Sequence, residues 1–151
     1  MKRALLASVM SVFLAFFMPA GWSADDTSSP VAATDTALAS ARGQIERKDW
    51  VGAASALTVY VKANPGSADG HNLLGYSLRH LKKYDESVSA YRVALKLDPR
   101  HKGAHEYIGM AYVEMKMLDK AREHLAALNK ICRLSCEEYR DLKKAIESAS
   151  R

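Results

Sequence analysis

The chain has 151 residues, 48% of them hydrophobic and 26% charged, with a formal net charge of +5; that is enough for one compact domain of ordinary size and too short for two. Its cations are interleaved with acids, as in Glu46-Arg47-Lys48-Asp49 and Lys82-Lys83-Tyr84-Asp85-Glu86, a pattern of solvated helix faces that excludes a nucleic-acid stripe. No Ser/His/Asp order, Gly-rich phosphate loop or carboxylate pair in a recognisable context is present, so neither an enzyme nor a cofactor is expected.

The chain opens with MKRALLASVMSVFLAFFMPAGWSADD. Lys2 and Arg3 form a basic start, Ala4 to Met18 are apolar or small, and Pro19, Gly21, Ser23 and Ala24 follow. This is the layout of a secretory signal peptide, expected over residues 1–24. An uncleaved anchor is the alternative, because no charge lies between Arg3 and Asp25; the apolar core is shorter than the roughly 20 residues of a membrane span. Loss of Lys2 and Arg3 removes one positive charge each and lowers the formal charge from +5 to +3, since every acid lies downstream. Export places the chain in an oxidising compartment, and no membrane association is expected after cleavage. Residues 25–33, within DDTSSPVAATDT, lack large apolar side chains and are expected to be a flexible linker.

From residue 34 the sequence repeats. Pro65 and Pro99 are 34 positions apart, and the same period sets Leu74-Gly75 over Ile108-Gly109, Ala53 over Ser87 and Ala121, and Leu57 over Tyr91 and Leu125. The segments GHNLLGYSLRHL and AHEYIGMAYVEM carry apolar residues at spacings of three and four, the mark of helices with one buried face. A short break and a second such segment follow each, ESVSAYRVALKL and KAREHLAALNKI. Asp85 and Asp119 are expected to cap the second helices, and Pro65 and Pro99 to end them. Gly75 and Gly109 stand inside helices, where glycine costs about 1 kcal/mol relative to alanine. Close approach of the paired helix, opposite the small Ala53, Ser87 and Ala121, is the expected compensation.

These columns resemble the tetratricopeptide repeat. The second unit reads His71, Leu74-Gly75, Leu78, Ser87, Tyr91, Ala94, Pro99, and the third His105, Ile108-Gly109, Tyr112, Ala121, Leu125. The first matches at Ala53, Leu57 and Pro65 but has Ala37 and Ser40 where bulk is usual; His stands twice for the usual Trp, and Arg133 for a third Pro. The resemblance implies an all-α protein, a right-handed α-solenoid of three helix hairpins over residues 34–67, 68–101 and 102–135. Stacked hairpins leave an apolar end that needs a polar-backed cover. Residues 136–148 suit it, with Tyr139, Leu142, Ala145 and Ile146 on one stripe and Glu137, Arg140, Lys143, Lys144 and Glu147 opposite. The domain is thus expected over residues 34–148.

Cys132 and Cys136, the only cysteines, meet at this last junction. Ser135 and Glu138 form a capping-box pattern, which puts Cys136 in the first turn of the last helix and Cys132 at the end of the one before. Across such a bend the pair can close a disulfide, whereas within one helix the Cβ atoms stand about 5–6 Å apart, too far. A redox pair and metal ligation are the other readings; a zinc site would need two further ligands. The C-x3-C-x-E-Y-x-D-L stretch also resembles the tail of small exported bacterial proteins of this repeat family, which implies a periplasmic location.

In this family the ligand surface is the concave face formed by the first helix of each hairpin. Transferred to this chain, the groove positions are Arg42 in the first unit, Asn72, Tyr76 and Arg79 in the second, and Glu106, Met110 and Val113 in the third. All are expected to be exposed. The family's carboxylate clamp is not reproduced, because Leu38 and Arg42 stand where its first Lys and Asn would be. His71 and His105 are expected to pack, and His101 with His105 is a weak metal spacing. The expected function is that of a monomeric periplasmic adaptor binding a protein or peptide segment in its groove, with a redox or metal-handling protein using the cysteine pair as the alternative.

Overall fold

The computed structural model describes residues 30–151 apart from Leu134, with side chains from Thr36 onward. The expected signal peptide (1–24) and residues 25–29 of the expected linker lie outside the described residues. Among the described residues every regular element is a helix: α1 (Pro30–Glu46), α2 (Trp50–Ala63), α3 (Ala68–His80), α4 (Tyr84–Leu97), α5 (Lys102–Glu114), α6 (Leu118–Cys132) and α7 (Glu137–Ala149). Residues 30–33 of the expected linker are helical. Proline suits the first position of a helix, where its missing N–H would have no partner anyway, so low apolar content did not prevent α1 from starting at Pro30.

Consecutive helices pair as hairpins, α1 with α2, α3 with α4 and α5 with α6. Helices α1, α3, α5 and α7 also contact one another in series and make an inner layer, while α2, α4 and α6 form the outer one. The cap α7 packs on α5 and α6 as α5 packs on α3 and α4, taking the place that the first helix of a further hairpin would hold. The solenoid is therefore closed by a helix whose buried residues are Leu142 and Ile146 and whose opposite face is charged.

The repeating columns are the core. Ala53, Ser87 and Ala121 are all 0% exposed, as are Leu57 and Tyr91. Ser87 donates its hydroxyl hydrogen to the Gly75 carbonyl of the facing helix at 2.8 Å, so the polar member of the column is satisfied. A Cβ on Gly75 would lie 2.7 Å from the Tyr91 ring. That close approach compensates the glycine's poor helix propensity, and it comes from the tyrosine at least as much as from the small-residue column.

The turns repeat as well. Lys48, Lys82 and Lys116 have positive φ (60, 62 and 60°). In each the lysine N–H reaches a carbonyl three back and the next N–H one five back, as in Lys116 to Val113 (3.0 Å) and Met117 to Tyr112 (2.8 Å), the double closure of a Schellman helix end. Between hairpins, Ser67 and His101 cap α3 and α5: Ser67 Oγ accepts from the Gly70 N–H and His101 Nδ1 from the Ala104 N–H, both at 3.1 Å. His71 and His105 approach the carbonyls of Pro65 and Pro99 through Nε2, at 3.2 and 3.1 Å, so their column pins each hairpin to the turn before it.

Two expected caps are corrected. Helices α4 and α6 begin before Asp85 and Asp119, with Lys83 and Met117 at the cap positions and no side-chain cap bond. The acids stand inside the first turn, where they complement the helix dipole. The capping box at Ser135 does not form either: Cys136 is the cap residue of α7 without a side-chain bond, and the Ser135 hydroxyl donates back to the Cys132 carbonyl at 2.5 Å. The positive φ of Arg133, 48°, turns the chain so sharply that Ser135 faces the helix just ended.

Candidate functional site: the inner face

The inner layer brings the expected groove residues onto one face but does not leave them all free. Arg42 is exposed and pairs with Asp69 at 3.1 Å. Asp69 also takes a hydrogen bond from His101, 3.0 Å from Nε2 to Oδ1. Because His101 Nδ1 accepts the cap bond, its proton sits on Nε2, which fixes the ring as donor to the carboxylate. His101 therefore ties the start of α5 to α3, and its partners are not those of a metal ligand shared with His105.

Asn72 was expected at the surface and is 6% exposed. The reason is Gly103: a Cβ there would lie 3.6 Å from Asn72 Nδ2, so the start of α5 comes down over the amide. Its Oδ1 is buried without a hydrogen-bond partner among the described residues.

Arg79 is likewise drawn in. Its side chain is 13% exposed, its guanidinium carbon lies 5.5 Å from the Tyr76 ring centroid, and its Nη1 donates to Glu114 Oε1 on α5. Lys82 reaches the other oxygen of Glu114 at 3.4 Å. Burial pushes the Glu114 carboxyl up, but Arg79, the Tyr84 hydroxyl and Lys82 hold it below the usual range. Arg79 is thus a latch between the second and third hairpins, not an open groove cation.

Tyr76 sits in a run of rings the sequence reading did not assemble. Trp50 stacks on His80 (centroids 4.0 Å apart, planes at 7°), Tyr76 meets His80 at 4.6 Å and Tyr107 at 4.9 Å, and Tyr107 continues to Tyr91 at 6.4 Å. The spacing of Tyr76 and His80, four apart on α3, carried the signal; the partners come from α2 and α5 and had none. Burial, then Glu106 and Tyr76, push the Tyr107 hydroxyl up to about 12. Tyr76, Tyr107, Met110 and Val113 are half-buried, so part of an aromatic and apolar floor stays open.

Toward the cap the face turns acidic. Glu106 is half-buried, and its carboxyl is pushed up to about 7 by burial first and then by Asp141, Glu138 and Glu137 of α7, with Arg79 opposing. Lys102 pairs with Glu138 at 3.4 Å. The inner face therefore runs from Arg42 at its first hairpin, over rings, to a carboxylate group at α7.

Cys132 and Cys136 are joined by a disulfide, with Cα atoms 5.7 Å apart, across the bend between α6 and α7. The bridge lies where the cap leaves the last hairpin.

Comparisons agree with this geometry. Residues 68–101, the second hairpin, match the tetratricopeptide repeat model. No curated protein matches the sequence. Among solved structures the chain is similar to the TPR2B domain of yeast Sti1 in its pHsp70 complex, at 22% identity and a TM-score of 0.72 over 78% of this chain and 95% of that one. It is also similar to the first TPR of Spaghetti (RPAP3) bound to the HSP90 peptide SRMEEVD, at 15% identity and a TM-score of 0.69 over 78% of this chain and 94% of that one. For the Sgt2 TPR domain of Aspergillus fumigatus the identity is 15% and the TM-score 0.70, over 82% of this chain and 79% of that one. With a 34-residue column pattern, hairpins stacked in two layers and a matched repeat in the middle, residues 68–101 are a tetratricopeptide repeat and the described chain has the fold of tetratricopeptide repeat domains.

Proposed function

We propose that the protein is a non-enzymatic periplasmic adaptor that holds an extended protein or peptide segment against its inner face. The observation that carries this reading is the half-open floor of Tyr76, Tyr107, Met110 and Val113, which ends in the carboxylates of Glu106 and α7. Aromatic side chains bring large contact area at low entropic cost. The carboxylates of Glu106 and α7 favour a segment lying with its basic groups at that end. The likeness to solenoids whose structures hold peptides supports the same reading. The leader pattern supports export, and the bridge at the α6–α7 bend supports a structural role for the cysteines over a redox one.

Display of random peptides against the mature chain tests it. Selected peptides should bind wild type, lose about tenfold (about 1.4 kcal/mol) with Tyr76→Ala or Met110→Gln, and be indifferent to Lys62→Ala on the outer layer. Peptides that bind the two inner-face variants as well as wild type would place the ligand surface elsewhere.

A further inference from the structure

The outer layer holds a second, differently charged recess. Helices α4 and α6 leave a cleft between them of about 440 Å³, floored by Tyr112 and Ile108 of α5. Arg92 and Lys96 stand on its α4 wall, one turn apart; Lys120, Glu123 and His124 stand on its α6 wall. Arg92 Nη2 donates to the Tyr112 hydroxyl at 3.1 Å, and Lys120 Nζ sits 5.4 Å from the centroid of the same ring. One tyrosine thus positions two cations. None of Arg92, Lys96 and Lys120 forms an ion pair with a described carboxylate, although Glu123 lines the cleft and Asp85 lines its continuation along Tyr112.

We propose that this cleft is an oxyanion site that takes a phosphate group, with Arg92, Lys96 and Lys120 as its cationic ligands and Tyr112 as the post that orients two of them. Three cations converging where Glu123 and Asp85 form no ion pair with any of them repel one another, and a dianion between them removes that cost. Arg92 spends one of its five N–H donors on Tyr112 and keeps the others. The hydroxyl of Tyr112, having accepted from Arg92, retains its own hydrogen to donate. Cations on two opposed walls suit a tetrahedral group with acceptors in several directions better than a planar carboxylate. Burial first, then His105 and Arg92, hold the His124 imidazole down to about 4, so it lines the cleft as a neutral ring. Its Nδ1 lies 3.0 Å from His105 Nδ1. Since His105 Nε2 meets the Pro99 carbonyl at 3.1 Å and must carry the proton there, His124 donates through Nδ1 and is locked in place beside the site.

The test is titration of the full folded domain with inorganic phosphate, with sodium chloride adjusted to constant ionic strength, followed by NMR. Saturable shifts centred on Tyr112, His124 and the Arg92 side chain are expected, reduced at least tenfold in affinity by Lys96→Gln/Lys120→Gln, which leaves the Arg92 to Tyr112 bond intact. A second arm separates the sources of phosphate: sedimentation with phosphatidylglycerol but not phosphatidylcholine vesicles, lost in the same variant, would assign a lipid-borne group, and phosphate binding alone a free one. Shifts that grow without saturation, that spread over lysines throughout the chain, or that persist in the double variant would overturn the site.

Discussion

Gly109 of α5 lies directly beneath Leu142 of the cap: a Cβ on the glycine would come 2.5 Å from Leu142 Cδ2. In the second hairpin the equivalent Gly75 is met by Tyr91 of its own partner helix, whereas in the third the cap supplies the contact. Leu142 is 0% exposed and so fastens α7 to the solenoid. Leu142→Ala should cost about 2–5 kcal/mol, and Gly109→Ala, which overpacks the same spot, about 1–3 kcal/mol. The two are expected to couple. In the Leu142→Ala background the added methyl enters the vacated space, and Gly109→Ala becomes neutral or gains up to about 1 kcal/mol of helix propensity. Denaturant melts of the four proteins measure this, and additive costs would show that the two residues do not share the space.

Three lysines hold left-handed turns that a glycine would adopt without strain. For an L-residue that conformation costs about 1–2 kcal/mol. Lys116 is the cleanest test: its φ is 60° and its side chain has no described ion pair. Lys116→Gly is expected to stabilise by about 1 kcal/mol, or roughly 4 °C in Tm, the entropy of the unfolded glycine cancelling part of the gain. Lys143→Gly within α7 should do the opposite. A fall in Tm for Lys116→Gly would mean that the turn is held by the side chain instead.

The hairpins, their order and the cap were legible because a 34-residue period and a helical apolar stripe survive averaging over many positions. Single contacts were not. Arg79 falls on the open face by helix geometry alone, yet Glu114, thirty-five positions on, pulls it against Tyr76. Asn72 looked exposed because the cost of covering it depends on Gly103 of another helix. The Trp50–His80 stack joins a helix start to a helix end in the next unit, outside any column. Helix starts were misplaced by two residues at Asp85 and Asp119, since an acid serves a first turn nearly as well as a cap.

The disulfide should act locally. It spans four positions in sequence, so its chain-entropy benefit lies below the roughly 3 kcal/mol of a 15-residue loop. In the oxidised protein alkylation should modify neither cysteine, and reduction should free two thiols. Cys132→Ser/Cys136→Ser is expected to lower Tm modestly and speed amide exchange in residues 136–148, leaving α1 to α4 protected. Equal loss of protection in every hairpin would show that the cap holds the whole solenoid, as a short repeat array permits.

Glu106 makes the cap pH-dependent. Its ordinary value is 4.5, and in the fold, half-buried and facing Asp141, Glu138 and Glu137, it is pushed up to about 7. Between those values the folded state keeps a proton that the unfolded chain has lost, so the group's contribution to stability falls as pH rises from about 4.5 to above 7. His80, His105 and His124 shift downward and act in the opposite direction, losing stability as pH drops below their ordinary 6.5. Their contribution is common to wild type and Glu106→Gln and cancels in the difference. Glu106→Gln should therefore stabilise at pH 8, by on the order of 1 kcal/mol once screening at a partly exposed site is allowed for, and by almost nothing at pH 5. The readouts are paired melts at the two pH values and amide exchange in the first turns of α7, where carboxylates of the cap face Glu106. An equal difference at both pH values would mean that Glu106 is ionised throughout and that the repulsion across the α5–α7 contact is carried by Glu138 and Asp141 alone.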